Sequence, residues 1–429
     1  MLREICCLPD IVAVMSVSPS PRLRQRLTEL DAPPHSLKAF KMPRRWLILF
    51  ILTFARTAIA FQFQSLAALS PFFIEHFQLS YVALGSIIGL YLLPGALVAL
   101  PAGMIADRFG DKCIAFVGLV AMTLGTLMIA EANDPYLLTV GRLISGTGAV
   151  LLNVLVTKMV TDWFAGGELV TALGILVASW PLGNAAALVV LPPIANASSW
   201  RSAIAAAALL SAIAAILVAR YYRSLASQQP SPSVWQNLPK GELVLILLTG
   251  LIWTFYNVSF IVILAFGPAF VIAQGWPTNA ASAMVSTMSW ILILSIPLGA
   301  WIADRVRLPN LTIIACCTGS ALVIWALTAI GPSLVLFATI GFLIAPPAGV
   351  IMSLPGEAAA PERRALAMGV YFACYYAGIA AFTPLAGLAR DLSGSASAPL
   401  WFAGSMVLLA SAILMQFRSL QRRMHMHQV

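Results

Sequence analysis

The sequence predicts an all-α membrane fold: twelve transmembrane helices in two pseudo-symmetric six-helix halves. Three observations carry that expectation. The 429-residue chain is 60% hydrophobic and only 10% charged, whereas soluble domains are about 45–50% apolar and about 25% charged. It contains twelve apolar runs, each long enough at 1.5 Å per residue to cross a hydrocarbon core about 30 Å thick. Finally, a charged hairpin, Gly103-Met104-Ile105-Ala106-Asp107-Arg108-Phe109-Gly110-Asp111-Lys112, returns in degraded form as Gly299-Ala300-Trp301-Ile302-Ala303-Asp304-Arg305-Val306-Arg307. Asp107 recurs as Asp304, 197 positions later and nearly half a chain away. A repeat on that scale marks a duplicated membrane fold.

Residues 1–42 read as a disordered cytoplasmic tail. The apolar run Ile11–Met15 is too short to span and follows Pro9 and Asp10, and Pro19, Pro21, Pro33 and Pro34 come after it. No apolar region leads to a small-residue cleavage site, so no signal peptide is expected. Met42, just before the first span, leaves a later start open. The first half, 43–220, holds spans 46–75, 81–102, 113–131, 136–160, 169–194 and 201–220. A cytoplasmic linker, 221–241, follows and contains Gln228, Gln229, Pro230, Ser231 and Pro232. The second half, 242–417, holds spans 242–272, 279–302, 310–330, 333–354, 363–389 and 397–417, and 418–429 is a cytoplasmic tail.

Basic residues set the orientation. Arg3, Arg22, Arg24, Arg26, Lys38, Lys41, Arg44 and Arg45 precede the first span, and the same side receives Arg108, Lys112, Arg220, Arg223, Lys240, Arg305, Arg307, Arg363, Arg364, Arg418, Arg422 and Arg423. The other side has only Arg201 and Arg390. Both termini are therefore expected in the cytoplasm, with the chain in the cell (inner) membrane. The net charge of +9 does not indicate nucleic acid, because these residues form no stripe. Pro94-Gly95, Pro181 with Gly183, Gly267-Pro268, Pro346-Pro347 and Pro384 interrupt the spans, which a bundle tolerates where neighbours satisfy the freed backbone. Gly141, Ser145, Gly146 and Gly148 let the fourth span approach a neighbour closely.

Enzymatic chemistry is not expected. His35, His76, His425 and His427 lie in tails or a loop, and no nucleophile–base pair is visible. Cys6, Cys7, Cys113, Cys316, Cys317 and Cys374 show neither metal-ligand nor disulfide-framework spacing, so no metal and no cofactor are expected. No Walker motif is present, which argues against a primary pump.

Charge inside the membrane is the remaining signal. Arg56 lies about 15 Å into the first span and Arg142 about 9 Å into the fourth, and no Asp or Glu lies at comparable depth. Two buried cations without a buried acid leave a place for an anion. Helical spacing puts Arg142 on one face with Gly146, Ala149 and Asn153, and Arg56 on one with Phe63, with Gln64 beside it. Tyr91 stands in the second span. In the second half, Trp253, Tyr256 and Asn257 cluster, as do Tyr371, Tyr375 and Tyr376. The substrate-contact set is thus Arg56, Gln64, Tyr91, Arg142, Asn153, Trp253, Tyr256, Asn257, Tyr371 and Tyr375: a cationic anchor facing an aromatic wall. Each residue also has a plainer reading. A buried arginine can bond backbone carbonyls only, and aromatic stripes commonly pack.

The hairpin Gly103–Lys112 and the stretch Arg142-Leu143-Ile144-Ser145-Gly146-Thr147-Gly148 resemble the loop and fourth-helix signatures of the major facilitator superfamily, a likeness covering residues 43–417. The second hairpin departs from the pattern, with Ala300 and Arg307 at glycine positions. A narrower likeness, to cyanate-permease-like members, rests on Ala55-Arg56-Thr57, Phe61–Ser65, Ile88–Gly95 and Ser179-Trp180-Pro181-Leu182-Gly183. The resemblance implies a secondary transporter working by alternating access around a central cavity. It also implies gating roles for Gly103, Asp107, Arg108, Gly110, Lys112, Asp304, Arg305, Arg363 and Arg364. Asp107 would cap a helix start across the half-interface and pair with a base, Arg363, Arg364 or Lys158. The expected partners are a small anion (cyanate-, nitrate- or carboxylate-like), a coupling ion (proton or counter-anion) and the bilayer, with the chain a monomer. Two other readings stay open: proton-driven efflux of amphipathic compounds, and a non-transporting membrane sensor.

Overall fold

The computed structural model describes residues 44–99, 108–164, 168–224, 238–306, 308–360 and 363–426. Among them are twelve helices long and apolar enough to cross a membrane. The compact unit is Ile48–Val429; of the separate unit Met1–Leu47, residues 44–47 form the opening turn of the first helix. The elements are α1 (Arg44–Ala68), α2 (Ser70–Phe77), α3 (Tyr81–Leu90), α4 (Gly95–Val98), α5 (Asp111–Ala130), α6 (Pro135–Trp163), α7 (Leu169–Ala197) and α8 (Trp200–Tyr221), then α9 (Lys240–Ala273), α10 (Thr278–Val306), α11 (Pro309–Ile330), α12 (Leu334–Ala358), α13 (Arg364–Ser393) and α14 (Ala398–Met426).

Proline explains where the expected spans are split. The first breaks at Leu69, because Pro71 has no N–H and restarts the helix as α2. The second breaks over 91–94, ahead of α4, with Pro94 at the junction. By contrast α7, α9, α12 and α13 run through Pro181, Pro268, Pro346-Pro347 and Pro384. Pro268 shows how. It cannot donate to the carbonyl four residues back, Leu264, and that oxygen instead accepts from Gln64 Nε2 at 3.0 Å. The second charged hairpin is corrected in shape: α10 stays helical through Val306, so the copy of the first turn is absorbed into a helix end. The first copy needs its glycine, since Gly110 holds φ +85° ahead of α5. The last helix likewise continues past 417 to Met426.

Hydrogen bonds fix two ends of the bundle. At the proximal end, Asn310 at the start of α11 meets Arg418 near the finish of α14. At the distal end, the finish of α13 meets the start of α3. Within the first six spans α5 packs on α6 and α8; within the last six, α9 packs on α14 and α13. The expected close approach of α6 is seen, with Gly141 and Gly148 against the backbones of Gly125 and Gly118 of α5. The two sets of six meet chiefly through α3 on α13 and α7 on α10. Gly85 and Gly89, one turn apart on α3, lie against the backbone of Thr383 and Ala380, and Gly387 faces Tyr81 O. This is small-residue packing that brings two membrane helices to backbone contact.

Candidate functional site

Arg56 and Arg142, the two deep cations, have opposite fates. Arg142 is 1% exposed and fully engaged. Its Nη1 and Nη2 donate to Gln62 O (2.9 Å) and Phe63 O (2.7 Å) of α1, and its Nε to Ile87 O (3.2 Å). Ile87 O belongs to the last turn of α3, where Tyr91 N–H turns to Ile88 and Gly89 instead. Arg142 therefore caps a helix that ends inside the membrane, where an orphan carbonyl has no water to accept from. The Tyr91 ring lies 4.3 Å from its guanidinium carbon, and the Tyr91 hydroxyl donates to Ile59 O at 3.3 Å.

Arg56 is half-buried. Its Nε donates to Asn153 Oδ1 (3.1 Å) on α6 and its Nη1 to Leu176 O (3.0 Å) on α7. Among the described residues its Nη2 has no partner, and no carboxylate pairs with either arginine. Asn153 was expected on the face of Arg142; eleven residues along α6, it joins Arg56 instead. From Asn153 a chain of polar and aromatic groups crosses to the last six spans. Asn153 Nδ2 is 3.5 Å from Tyr376 Oη, the Tyr376 and Tyr375 rings are 4.9 Å apart, and Tyr375 is 6.1 Å from Trp253. Trp253 stacks on Tyr256 (5.4 Å) and Tyr371 (6.2 Å).

Trp253 Nε1 and Tyr371 Oη are buried without partners among the described residues. Tyr256 Oη is spent on Ile344 O, and Asn257 Nδ2 on Trp253 O of its own helix (2.8 Å). Gln64 is committed to Leu264 O across the two sets of spans. A cavity of about 550 Å³ opens one turn from Arg56 between α1, α7 and α10, lined by Thr53, Ser179, Leu182, Trp290 and Leu294 among others.

Tyr376 stood in the sequence cluster but outside the expected contact set, and it makes the polar link. Nothing in the sequence joined it to its neighbours: Gly95 leaves room for it, since a Cβ there would sit 2.4 Å from the Tyr376 ring, but that contact exists only in the fold. Asn184, buried in α7 with neither amide atom paired among the described residues, is absent from the expected set.

Of the gating residues, Gly103 and Asp107 lie outside the described residues, as do the expected tail 1–42, linker positions 225–237, and the side chain of Asp304. Arg108, Arg305 and Arg364 are exposed. Gly110 provides the turn before α5, and the Lys112 N–H is 3.4 Å from Ser224 Oγ. Lys158 bonds Asp111 at 3.0 Å, and Arg363 Nε bonds Glu242 at 2.8 Å. The first of these pairs lies within the first six spans and the second within the last six. Among the described residues, a polar clasp between the sets stands at the distal end, where the carboxylate of Asp391 accepts the N–H groups of Tyr81 (3.0 Å) and Val82 (2.8 Å), the first two of α3. Arg390 lies 3.8 Å over the Tyr81 ring, and Asn196 donates to Asn279 at 2.8 Å. A carboxylate on a helix N-terminus contributes about 1 kcal/mol. Asp391→Ala is thus expected to raise the distal-open population about fivefold. Pulsed electron paramagnetic resonance between spin labels at the exposed Gln78 and Ser395 would show a new long-distance component; an unchanged distribution would remove the clasp role.

The sequence profile described as Major Facilitator Superfamily matches residues 45–383. A hexuronate transporter of Bacillus subtilis (strain 168) is 22% identical over 254 residues, 56% of this chain and 60% of that protein. A choline/ethanolamine transporter of Homo sapiens is 25% identical over 165 residues, 38% of this chain and 31% of that protein. A gallate transporter of Pseudomonas putida is 29% identical over 149 residues, 32% of this chain and 33% of that protein. The chain thus spans less than two thirds of each. Among solved structures, the inward-open xylose transporter XylE from E. coli superposes with a TM-score of 0.73 at 14% identity, over 87% of this chain and 96% of that one. It shares the fold.

Proposed function

The chain belongs to the Major Facilitator Superfamily, and from that membership we propose a secondary transporter for a small organic anion, a carboxylate on a ring or short carbon body. The membership makes it a multi-pass membrane transporter rather than an enzyme. The cargo reading rests on one observation: among the described residues, the membrane-embedded site has unspent donors and no acid paired with them. Arg56 Nη2, Trp253 Nε1 and Tyr371 Oη all lack partners among the described residues. A carboxylate can accept from the guanidinium while a ring packs along Tyr375, Tyr376 and Trp253. Cyanate- and nitrate-sized anions satisfy the arginine alone and leave the wall unused. The hexuronate and gallate transporters carry names of such carboxylates; the choline/ethanolamine relative bears the name of a cation and points the other way. Alternating access would break the distal clasp at Asp391, with both termini cytoplasmic, the chain a monomer, and a proton or counter-anion as coupling ion.

A second reading, proton-driven efflux of amphipathic compounds, draws on the largely apolar lining of the 550 Å³ cavity. Uptake into proteoliposomes separates the two. A ring carboxylate is expected to be taken up at least about tenfold better than its neutral amide, because the amide leaves the buried cation unpaired. Equal uptake of acid and amide would favour the efflux reading, and preference for a quaternary amine would end the anion one.

A further inference from the structure

A pocket at the proximal finish of α14 is not part of the Arg56 site. Its volume, about 500 Å³, falls within the range of about 300–1,000 Å³ seen for ligand sites. It joins two chemistries. Ile314 of α11 and Leu414 and Met415 of α14 make an apolar floor, and Asn310, Arg418, Arg422 and Arg423 stand around it. Arg418 is already spent. Its Nε bonds Asn310 Oδ1 (2.8 Å), and its Nη1 bonds Glu357 Oε2 (2.5 Å) and Gln421 Oε1 (2.8 Å). That network ties α14 to α11 and α12 and cancels the charge of Arg418 against Glu357.

One turn on, Arg422 and Arg423 are exposed and have no ion pair or hydrogen bond among the described residues. Two uncompensated positive charges therefore stand beside an apolar floor. Their position identifies the medium. They lie in the last turns of a membrane-spanning helix, at interface depth. Met415 of the floor is 58% exposed and neighbouring Leu311 55%, on a surface the bilayer covers. A soluble anion makes no use of the floor, and a zwitterionic lipid makes little use of the arginines.

We infer that this pocket binds the headgroup of an anionic phospholipid, its phosphate on Arg422 and Arg423 and an acyl chain over Ile314 and Met415. The site is independent of the transported cargo. Native mass spectrometry of the purified full chain in neutral detergent tests it, with phosphatidylglycerol or phosphatidylcholine added. The chain is expected to retain phosphatidylglycerol preferentially, and less as salt is raised. Arg422→Gln with Arg423→Gln should lower retention about twentyfold, at a few-fold per arginine. Met415→Asp, which leaves both arginines in place, should lower it too, so the test survives if the double variant does not fold. Equal retention of the two lipids, or wild-type retention in the double variant, overturns the site. If inorganic phosphate raises the melting temperature as much as the lipid does, the arginines belong to a soluble anion and the lipid assignment fails.

Discussion

On the proposed carboxylate reading, replacing Arg56 with glutamine is expected to cut uptake of a ring carboxylate by at least about thirtyfold in kcat/KM, while the protein still folds. Removing one partner of a buried, hydrogen-bonded charge pair costs about 2–5 kcal/mol, and about 1.4 kcal/mol is a factor of ten. Glutamine is long enough to keep one bond to Asn153 or Leu176 O, so the α1–α6–α7 contact survives. What it loses is the charge and the Nη2 donor that has no partner among the described residues. Arg56→Lys separates those two losses. Lysine keeps the charge, but a single ammonium cannot hold Asn153, the Leu176 carbonyl and a cargo in one plane. An intermediate rate with raised KM is therefore expected. Asn153→Ala should act through Arg56, raising KM more than it lowers kcat, because it frees the guanidinium to swing. Proteoliposome uptake and melting temperature, measured on the same preparations, check these values. Wild-type uptake in Arg56→Gln would remove the anchor.

Those variants target a side chain the sequence already singled out, and its legibility has a physical basis. An arginine inside an apolar helix costs too much to be incidental, so Arg56 and Arg142 stand out from composition alone. The twelve spans were legible for a similar reason: apolar length translates directly into membrane thickness. Helix breaks were not. Pro94 stands at the break ahead of α4, whereas α9 runs through Pro268, where Gln64, 200 residues from Leu264, supplies the donor that Leu264 O lacks. Periodicity along one helix says nothing about donors from another. The same limit explains Asn153. Helical spacing put it on the face of Arg142, correctly for α6 alone, while its hydrogen bond is decided by α1. The distal clasp was invisible because half of it is main chain: Asp391 bonds two N–H groups that every residue carries.

Arg142→Leu is expected to be the more damaging substitution for the folded protein and the less informative one for transport. Leucine fits the apolar surroundings, so packing alone would be tolerated. The loss is polar. Ile87 O would keep no donor where α3 stops, and Gln62 O and Phe63 O would each lose a charge-assisted bond. Stranding a buried acceptor costs about 1–3 kcal/mol, and bonds to charged donors are worth about 1.5–3 kcal/mol each. Part of this is returned by no longer desolvating a guanidinium. The net expectation is a loss of about 3–5 kcal/mol, read as reduced yield of monodisperse protein and a melting temperature lowered by about 6–20 °C, on a scale of about 2–4 °C per kcal/mol for sizeable domains. Arg142→Lys should recover little, since one ammonium cannot reach carbonyls on both α1 and α3. Arg56→Gln provides the control, with transport lost and melting held within a degree or two. If Arg142→Leu melted like wild type and lost only transport, the arginine would be acting on the cargo, and the helix end in α3 would need another cap. The contrast turns on donor count: Arg142 places three donors on backbone carbonyls, whereas Arg56 keeps Nη2 without a partner among the described residues.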